Sequence, residues 1–264
     1  MSYQKFLIVA SKLDKAGVNI TTQLSQFGDF KFYLVNDEII QTENLDLEKI
    51  NQFDFIIFAS KHKADSKSKT LSVHAPGNWR SAEYGGLPGK ACKSSALFMK
   101  QVFEKIHENT LQYNLKDYSL TLEATHHGPL IEKPCIFIEI GPTEIEWADR
   151  RAGFIIAKSI SETLKNFKVN PYNEIAIAIG GPHYCPNFNK LQLKSNVAIS
   201  HVISQYAFPF TEEMIKEAIE KTEEELDFVV LDWKGLGKAE EREKIIEILE
   251  KNYIQYKKTS EISK

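Results

Sequence analysis

Phe53-Asp54-Phe55-Ile56-Ile57-Phe58-Ala59 is an apolar run that only Asp54 interrupts. Runs rich in aromatic and β-branched side chains are typical of strands that are buried on both faces. Residues 5–10 and 32–35 predict two earlier strands, and residues 20–27 predict a helix between them. Strands that alternate with helices indicate a largely parallel sheet with helices on both faces. Residues 53–59 are therefore predicted to be a central strand of an α/β fold.

The composition is that of an ordinary soluble globular protein. The chain has 264 residues, of which 42% are hydrophobic and 26% are charged, enough for a sizeable core. We find no repeat, low-complexity segment or clear linker, so we expect one domain over residues 1–264. The strand and helix pattern from Leu97 onward could form a second lobe of that domain.

Charge and cysteine content limit the classes of function. A net charge of −3 excludes a general nucleic-acid coat, although residues 61–69 are locally basic and could hold phosphates. The sequence contains no apolar run of about 18 residues, so no membrane span is predicted. The N-terminal residues lack the pattern of a signal peptide. Three widely spaced cysteines predict a reducing compartment and no disulfides. We therefore expect a cytoplasmic protein.

The segment Glu123-Ala124-Thr125-His126-His127-Gly128-Pro129 follows a short apolar run that predicts a strand. Gly128 and Pro129 predict a turn. Ligands of open α/β sheets bind beyond the carboxyl ends of strands, and imidazoles beside a carboxylate can bind a metal or move protons. The other interpretation is that the two histidines only hydrogen-bond the turn.

Other predicted strands also end in polar residues. Residues 135–140 are followed by Thr143 and Glu146 in the pattern of a capping box, so a helix should begin there. Its free N–H groups suit an anion or an oxyanion, and Glu144 either faces the crevice or only favours the helix dipole. His183 follows the strand at residues 174–179, and His201 lies in another strand pattern.

Residues 60–89 interrupt the regular pattern and predict a long loop. Long loops inside compact domains are usually functional or disordered, and the aromatic and charged residues here favour function. His74, Asn78 and Glu83 are its polar candidates. Trp79 either packs on the core as a lid or offers a surface on which a base can stack.

The residues point to a hydrolase without a familiar catalytic motif. There is no GxSxG elbow and no P-loop. Cys185 could act as a nucleophile, but its closeness to His183 in sequence is poor support, because catalytic partners meet in space. Histidines with carboxylates favour either a metal-activated water or general acid–base chemistry. No histidine spacing here matches a compact zinc motif.

Several segments together resemble the archaeal and plant type of D-aminoacyl-tRNA deacylase. They comprise residues 71–79, Glu83-Tyr84-Gly85-Gly86, the segment 123–129, Glu139-Ile140-Gly141 with Thr143-Glu144 and Trp147, and Gly180-Gly181 with His183-Tyr184 and Pro186. The resemblance implies hydrolysis of the ester of D-aminoacyl-tRNA, dependence on zinc, and a three-layer α/β/α fold that is phosphorylase/hydrolase-like, with a mostly parallel or mixed central sheet. Pro142 and Pro182 depart from the pattern, which usually has serine and glycine there.

Together with the resemblance, these patterns give one assignment of roles. The expected zinc ligands are His126, His127 and His183, and the expected catalytic residues are Glu123, His74 and Glu144. The expected substrate-binding residues are Lys61, Lys63, Asn78, Trp79, Glu83 and Tyr84, with the lysines on tRNA phosphates and an aromatic ring on the terminal adenine.

Two other classes of function stay open at this point. One is a hydrolase or phosphorylase that acts on a small nucleoside or peptide, and a deep closed pocket would favour it. The other is a tRNA-binding module without catalysis, and histidines scattered over the surface would favour it. No obligate protein partner is indicated, and we expect a monomer.

Overall fold

A computed structural model of the chain describes residues 3–41, 45–65 and 68–262. Lys67, one of the lysines of the basic segment, lies outside these ranges. The helices are α1 (Lys15–Leu24), α2 (Leu47–Ile50), α3 (Ala96–Gln112), α4 (Glu144–Trp147), α5 (Arg150–Asn166), α6 (Pro186–Lys194), α7 (Glu212–Glu220) and α8 (Ala239–Lys251). The strands are β1 (Phe6–Ser11), β2 (Phe32–Val35), β3 (Phe55–Lys61), β4 (Thr70–His74), β5 (Gly77–Asn78), β6 (Lys90–Ala91), β7 (Ser119–Leu122), β8 (Cys135–Gly141), β9 (Glu174–Ile179), β10 (Val197–Ile203), β11 (Phe228–Leu231) and β12 (Tyr256–Lys258).

The larger sheet has six strands in the order β2-β1-β3-β8-β4-β7. Strand β3 lies inside it, between β1 and β8, which confirms the central position predicted from its apolar run. Every strand pair of this sheet is parallel except β4 with β8. The α/β class with a mostly parallel central sheet is thus confirmed. Helices α1, α3 and α5 pack on one face of this sheet.

A second sheet has four parallel strands in the order β10-β9-β11-β12. Helix α3 contacts strands of both sheets, including β4 and β10. One hydrophobic cluster contains Ile57 of β3, Phe98 of α3 and Val202 of β10. The two sheets therefore share a core through α3. Within the described ranges, no helix is both long and apolar enough to cross a membrane.

The prediction of an unbroken loop over residues 60–89 was wrong. Strand β3 continues to Lys61, and residues 70–74 form β4, whose five residues are all buried. β4 lies between β8 and β7 in the larger sheet. Thr70, Ser72 and His74 alternate with apolar residues, so the segment lacks the continuous hydrophobicity by which the other buried strands were recognised.

The capping box at Thr143 and Glu146 is confirmed, but the helix that it begins is short. Helix α4 ends at Trp147, and α5 begins after Asp149, whose carboxylate accepts a hydrogen bond from the Arg151 N–H. Asp149 is a favourable N-cap residue, which explains why a new helix starts there. A single helix from Glu144 onward was therefore predicted where there are two.

Candidate active site

The segment 123–129 is bound by backbone hydrogen bonds to several parts of the chain that are distant in sequence. The Ala124 N–H donates to the carbonyl of His183 over 2.9 Å, and the Gly77 N–H donates to the carbonyl of His127 over 2.8 Å. His127 has a left-handed backbone with φ +47°. At Gly128, a Cβ would lie 2.4 Å from the Gly86 nitrogen, so only glycine fits.

Glu123 is the buried carboxylate to which three histidines converge. Its Oε1 lies 3.2 Å from His62 Nδ1, and its Oε2 lies 3.1 Å from His183 Nε2 and 3.6 Å from His126 Nε2. Burial would raise the pKa of Glu123, but the hydrogen bonds from His183 and His62 hold that pKa well below its usual range. Glu123 is therefore ionised at neutral pH.

His62 is the cationic partner of Glu123. Burial would lower the pKa of His62, but its hydrogen bond to Glu123 and the charges of Glu123 and Glu139 raise that pKa above its usual value. Its other ring nitrogen, Nε2, lies 2.8 Å from the Tyr184 hydroxyl. His62 and Glu123 thus form a buried ion pair beside the two other histidines.

Three further imidazoles are neutral and share one pattern of hydrogen bonding. The Nδ1–H of each donates to a nearby backbone carbonyl, over 3.1 Å in His74, 2.8 Å in His126 and 2.6 Å in His127. Burial and the neighbouring imidazoles lower the pKa of His74 to about 4, that of His127 to about 3, and that of His126 well below its usual range. Each ring therefore keeps a lone pair on Nε2.

Glu139 of β8 completes the buried cluster. Its Oε2 lies 3.5 Å from His74 Nε2 and 3.8 Å from His62 Nδ1. Burial, and then the charge of Glu123, raise the pKa of Glu139 well above its usual range. Glu139 is thus a neutral carboxylic acid next to an ionised one, the arrangement that proteins use to separate acid and base roles.

The residues present fit a metal ion. His74, His126 and His127 each offer a ring nitrogen, and these atoms lie within 4.8 Å of one another. The buried Nε2 of His74 has no hydrogen-bond partner among the described residues. Three neutral imidazoles, each fixed by an Nδ1–H bond to a carbonyl, are a typical donor set for catalytic zinc. His183, which we expected as a ligand, contacts Glu123 and belongs with His62, Glu123 and His126 to a second group whose ligand atoms lie within 4.8 Å of one another.

A crevice of about 210 Å³ opens from this cluster to the surface, and its walls include His126, His183, Asn78 and Trp79. The Asn78 amide donates to the Gly85 carbonyl over 2.8 Å. The Trp79 indole N–H donates to the Val202 carbonyl over 3.1 Å, and the ring is only 6% exposed. Trp79 thus packs into the core of the second sheet, as in the lid interpretation.

The structure does not bring three of the other expected residues into the cluster. The Glu83 carboxylate is exposed and lies 3.4 Å from the Ser81 hydroxyl. Tyr84 is 60% exposed. The Glu144 side chain is 68% exposed and pairs with Lys15 at 2.5 Å. Glu144 therefore matches the interpretation of a surface carboxylate at a helix N-terminus.

Two lysines of the basic segment, where we expected phosphate binding, form ion pairs with carboxylates. Lys61 Nζ lies 2.9 Å from Glu38 Oε1, and Lys69 Nζ lies 3.0 Å from Asp117 Oδ2. Lys63 is exposed. The structure therefore offers Lys63 as the most accessible of these cations.

His201 and Cys185, the two other candidates from the sequence, are both buried. His201 is buried inside β10, where its Nε2 lies 3.1 Å from the Lys221 carbonyl, and burial lowers its pKa to about 4. The Cys185 thiol is buried and burial raises its pKa far above the usual range. It therefore stays protonated, which does not suit a nucleophile.

His62 and Glu139 are the cluster residues that the sequence analysis missed. His62 comes directly after β3, so the rule applied to the other histidines would have found it, but it lies within a run of lysines. Glu139 is a lone carboxylate between isoleucines in an apolar strand. A charge that must be buried is itself a signal of function or of a paired group.

Comparison with known proteins shows the family. The family model of D-aminoacyl-tRNA deacylases matches residues 49–257. A D-aminoacyl-tRNA deacylase of Pyrococcus furiosus is 36% identical over 255 residues, which are 87% of this chain and 91% of the relative. That of Methanocaldococcus jannaschii is 32% identical over 262 residues, 96% of this chain and 99% of the relative.

A solved structure has the same fold. The crystal structure of a conserved protein of unknown function superimposes with a TM-score of 0.89 at 28% identity, covering 98% of this chain and 96% of that one. The residues that the family model matches include Glu123, His126 and His183, which converge in the structure. This chain belongs to the D-aminoacyl-tRNA deacylase family.

Proposed function

We propose that this protein hydrolyses the ester bond of D-aminoacyl-tRNA and releases the free D-amino acid and tRNA. The observation that carries the proposal is the ionised, buried Glu123 contacted by three imidazoles beside the crevice. Ester hydrolysis needs a base for the attacking water and a group that stabilises the developing oxyanion. The relatives that match most of the chain are named for this activity.

His183 is the proposed general base. Its side chain lines the crevice and is 31% exposed. Its Nε2 donates to Glu123, which leaves Nδ1 to take a proton from water. Glu123 then stabilises the imidazolium, as the carboxylate does in a catalytic triad. The positive charge of His62, held by Tyr184 and Glu123, stabilises negative charge that develops at the ester carbonyl.

We further propose that His74, His126 and His127 hold a zinc ion. A bound zinc ion supplies Lewis-acid activation of water near neutral pH. The three neutral imidazoles and the unpartnered His74 Nε2 support this set; an alternative group in the structure is His62, Glu123, His126 and His183, whose ligand atoms also lie within 4.8 Å of one another. Metal content separates this set from the expected one of His126, His127 and His183: His74→Ala should lose zinc, whereas His183→Ala should retain it. The reverse result would refute the assignment.

The function is tested by incubating the protein with D-Tyr-tRNA and L-Tyr-tRNA side by side, with and without chelator. We expect the D-ester to be hydrolysed much faster than the L-ester, chelation to abolish turnover, and zinc to restore it. A zinc-loaded protein that leaves D-Tyr-tRNA intact would refute the function. Full activity after complete removal of zinc would refute only the role of the metal.

The remaining expectations belong to the same proposal. We infer that the protein acts in the cytoplasm, where its substrate is formed. That the protein is a monomer stays a prediction. Binding of tRNA phosphates by Lys61 and Lys63 stays a prediction, which a shallower salt dependence in the Lys63→Ala variant would support.

A further inference from the structure

A second groove of about 400 Å³ shares one lining residue with the crevice. Its walls include Tyr206, Phe208, Phe210 and Lys234, and Tyr206 also lines the crevice that contains His126 and His183. The two cavities therefore both contact Tyr206. The chain that leads from one to the other is the short helical turn Gln205–Ala207, which follows β10 directly.

The groove presents aromatic rings to solvent beside a cation. Tyr206 is 69% exposed and Phe208 is 42% exposed. Phe210 is buried and holds the Phe208 ring at an edge-to-face centroid distance of 5.9 Å. Lys234 is exposed at the same groove. Neighbouring exposed aromatic rings are unfavourable in water and usually mark a binding surface.

The floor of the groove is backbone in close contact. The Gln205 N–H donates to the Gly181 carbonyl over 2.9 Å. A Cβ at Gly235 would lie 2.1 Å from the Gly181 nitrogen, so the two turns can approach this closely only without a side chain there. The carboxylate of Glu241 accepts the Lys238 N–H over 2.5 Å and thereby caps α8.

We propose that this groove binds the unpaired nucleotides that precede the terminal adenosine of tRNA. The inference rests on the proposed function, because the ester sits on the terminal ribose and the next nucleotides must leave the crevice along its surface. Aromatic rings beside a basic side chain are the common surface for single-stranded nucleic acid, since every base offers a face for stacking. Trp79 cannot serve, because its ring is buried.

The test compares Tyr206→Ala and Phe208→Ala with the wild type on two substrates, D-Tyr-tRNA and the nucleoside ester 3′-D-tyrosyl-adenosine. Loss of one stacked base should lower kcat/KM on D-Tyr-tRNA by about 5- to 100-fold. The loss on the nucleoside ester should be smaller, because that substrate ends at the adenosine. Tyr206→Phe keeps the ring and should restore most of the activity. Tyr172→Ala is the matched control, since Tyr172 is 79% exposed and lines neither cavity.

Equal losses on both substrates, or no loss on D-Tyr-tRNA, would overturn the groove while leaving the proposed function intact. A wild-type protein inactive on both substrates would refute the proposed function itself. In that case, binding of a fluorescent single-stranded RNA that ends in CCA decides on the groove separately. Weaker binding by Tyr206→Ala and Phe208→Ala than by Tyr172→Ala supports the groove. Equal binding by the wild type and these three variants refutes it.

Discussion

Glu123 and Glu144 were both candidates for the crevice in the sequence analysis. Their surroundings in the structure predict that substitution lowers the deacylation rate at Glu123 and leaves it nearly unchanged at Glu144. Glu123→Gln removes the charge that three histidines contact and should lower the rate of deacylation by about 10²- to 10⁴-fold. Glu144→Gln affects an exposed surface pair and should leave the rate near that of the wild type. Similar rates for the two variants in a D-Tyr-tRNA assay would contradict the central place of Glu123.

The buried histidines predict loss of stability in acid. The pKa values of His74 and His201 are lowered to about 4 and that of His127 to about 3, while His126 is also lowered. The unfolded chain binds these protons near pH 6.5 and the folded chain does not. Their contribution to stability is therefore present above that pH and is lost as pH falls.

Groups with raised pKa values act in the opposite sense. Burial also raises the pKa values of the Asp14 and Glu224 carboxyl groups, whose ordinary values lie below pH 5, so His62 and Glu139 are the main ones above that pH. The raised pKa values of His62 and Glu139 add stability as pH falls, because the folded chain binds their protons more readily than the unfolded chain. Four histidines outweigh these two groups between pH 7 and 5. We therefore expect the free energy of unfolding of the metal-free protein to fall over this range.

Urea unfolding at several pH values in the presence of chelator checks this expectation. Each histidine with a lowered pKa contributes up to about 1.4 kcal/mol per pH unit. His201→Gln should flatten the curve by about that amount, because Gln can still donate to the Lys221 carbonyl. His201 makes no contact with Glu123, and its link to the site segment is the Nδ1 contact with the Thr125 hydroxyl at 3.3 Å. A curve that rises toward acid, or one that His201→Gln leaves unchanged, would contradict the assigned protonation states.

At the scale of elements, the turn around Gly86 supports the segment that carries the histidines. Gly86 and Gly89 have similar left-handed backbones, with φ of +78° and +69°. A Cβ at Gly86 would lie 2.7 Å from the Asn78 amide nitrogen and 3.3 Å from the Gly128 Cα, whereas a Cβ at Gly89 meets nothing within 4 Å. The two positions therefore share the backbone strain and differ in the clash.

Both Gly→Ala variants should lose about 1 to 2 kcal/mol of stability from the backbone strain. Gly86→Ala should lose more, and should also slow deacylation, because Asn78 and the Gly128 turn must move. Urea unfolding and turnover of D-Tyr-tRNA measure the two effects. Equal stability and equal turnover of Gly86→Ala and Gly89→Ala would show that the turn does not position the site.

The elements that could be predicted are those with one clear signal. The apolar run of β3 predicted a central strand, and Thr143 with Glu146 predicted a helix start. Strand β4 could not be predicted, because its alternating Thr70, Ser72 and His74 are buried by neighbours that are distant in sequence. Periodicity reports the polarity of side chains, and it does not report which polar face a sheet buries.

The same reason limits what could be predicted of the site. His126 and His183 were expected at one crevice because both follow strand ends, and the structure brings both to Glu123. Glu139 was missed because it lies in the middle of β8, where only its pairing with His74 and His62 gives it a role. The partition between neutral and charged imidazoles depends on burial and neighbours in space, which a single sequence does not contain.

At the scale of the whole molecule, the two sheets share a large hydrophobic cluster, and the second sheet has a further cluster of its own that includes other side chains of its strands. Helix α3 lies between them, and its Phe98 belongs to the same cluster as side chains of β3 and β10. The proposed site uses both sheets as well, because Glu123 follows β7 whereas His183 follows β9. A single domain over residues 1–264 therefore predicts that the site and both sheets unfold together.

The three tryptophans make this prediction measurable. Trp147 donates its indole N–H to the His62 carbonyl beside the larger sheet, and Trp233 packs against the core of the second sheet. Variants that keep only Trp147 or only Trp233 should show the same urea midpoint by fluorescence and by circular dichroism. Phe98→Ala should cost about 3 to 5 kcal/mol and should move both midpoints together. Separate midpoints, or a shift confined to Trp147, would instead establish two lobes that fold independently and meet only at the catalytic cluster.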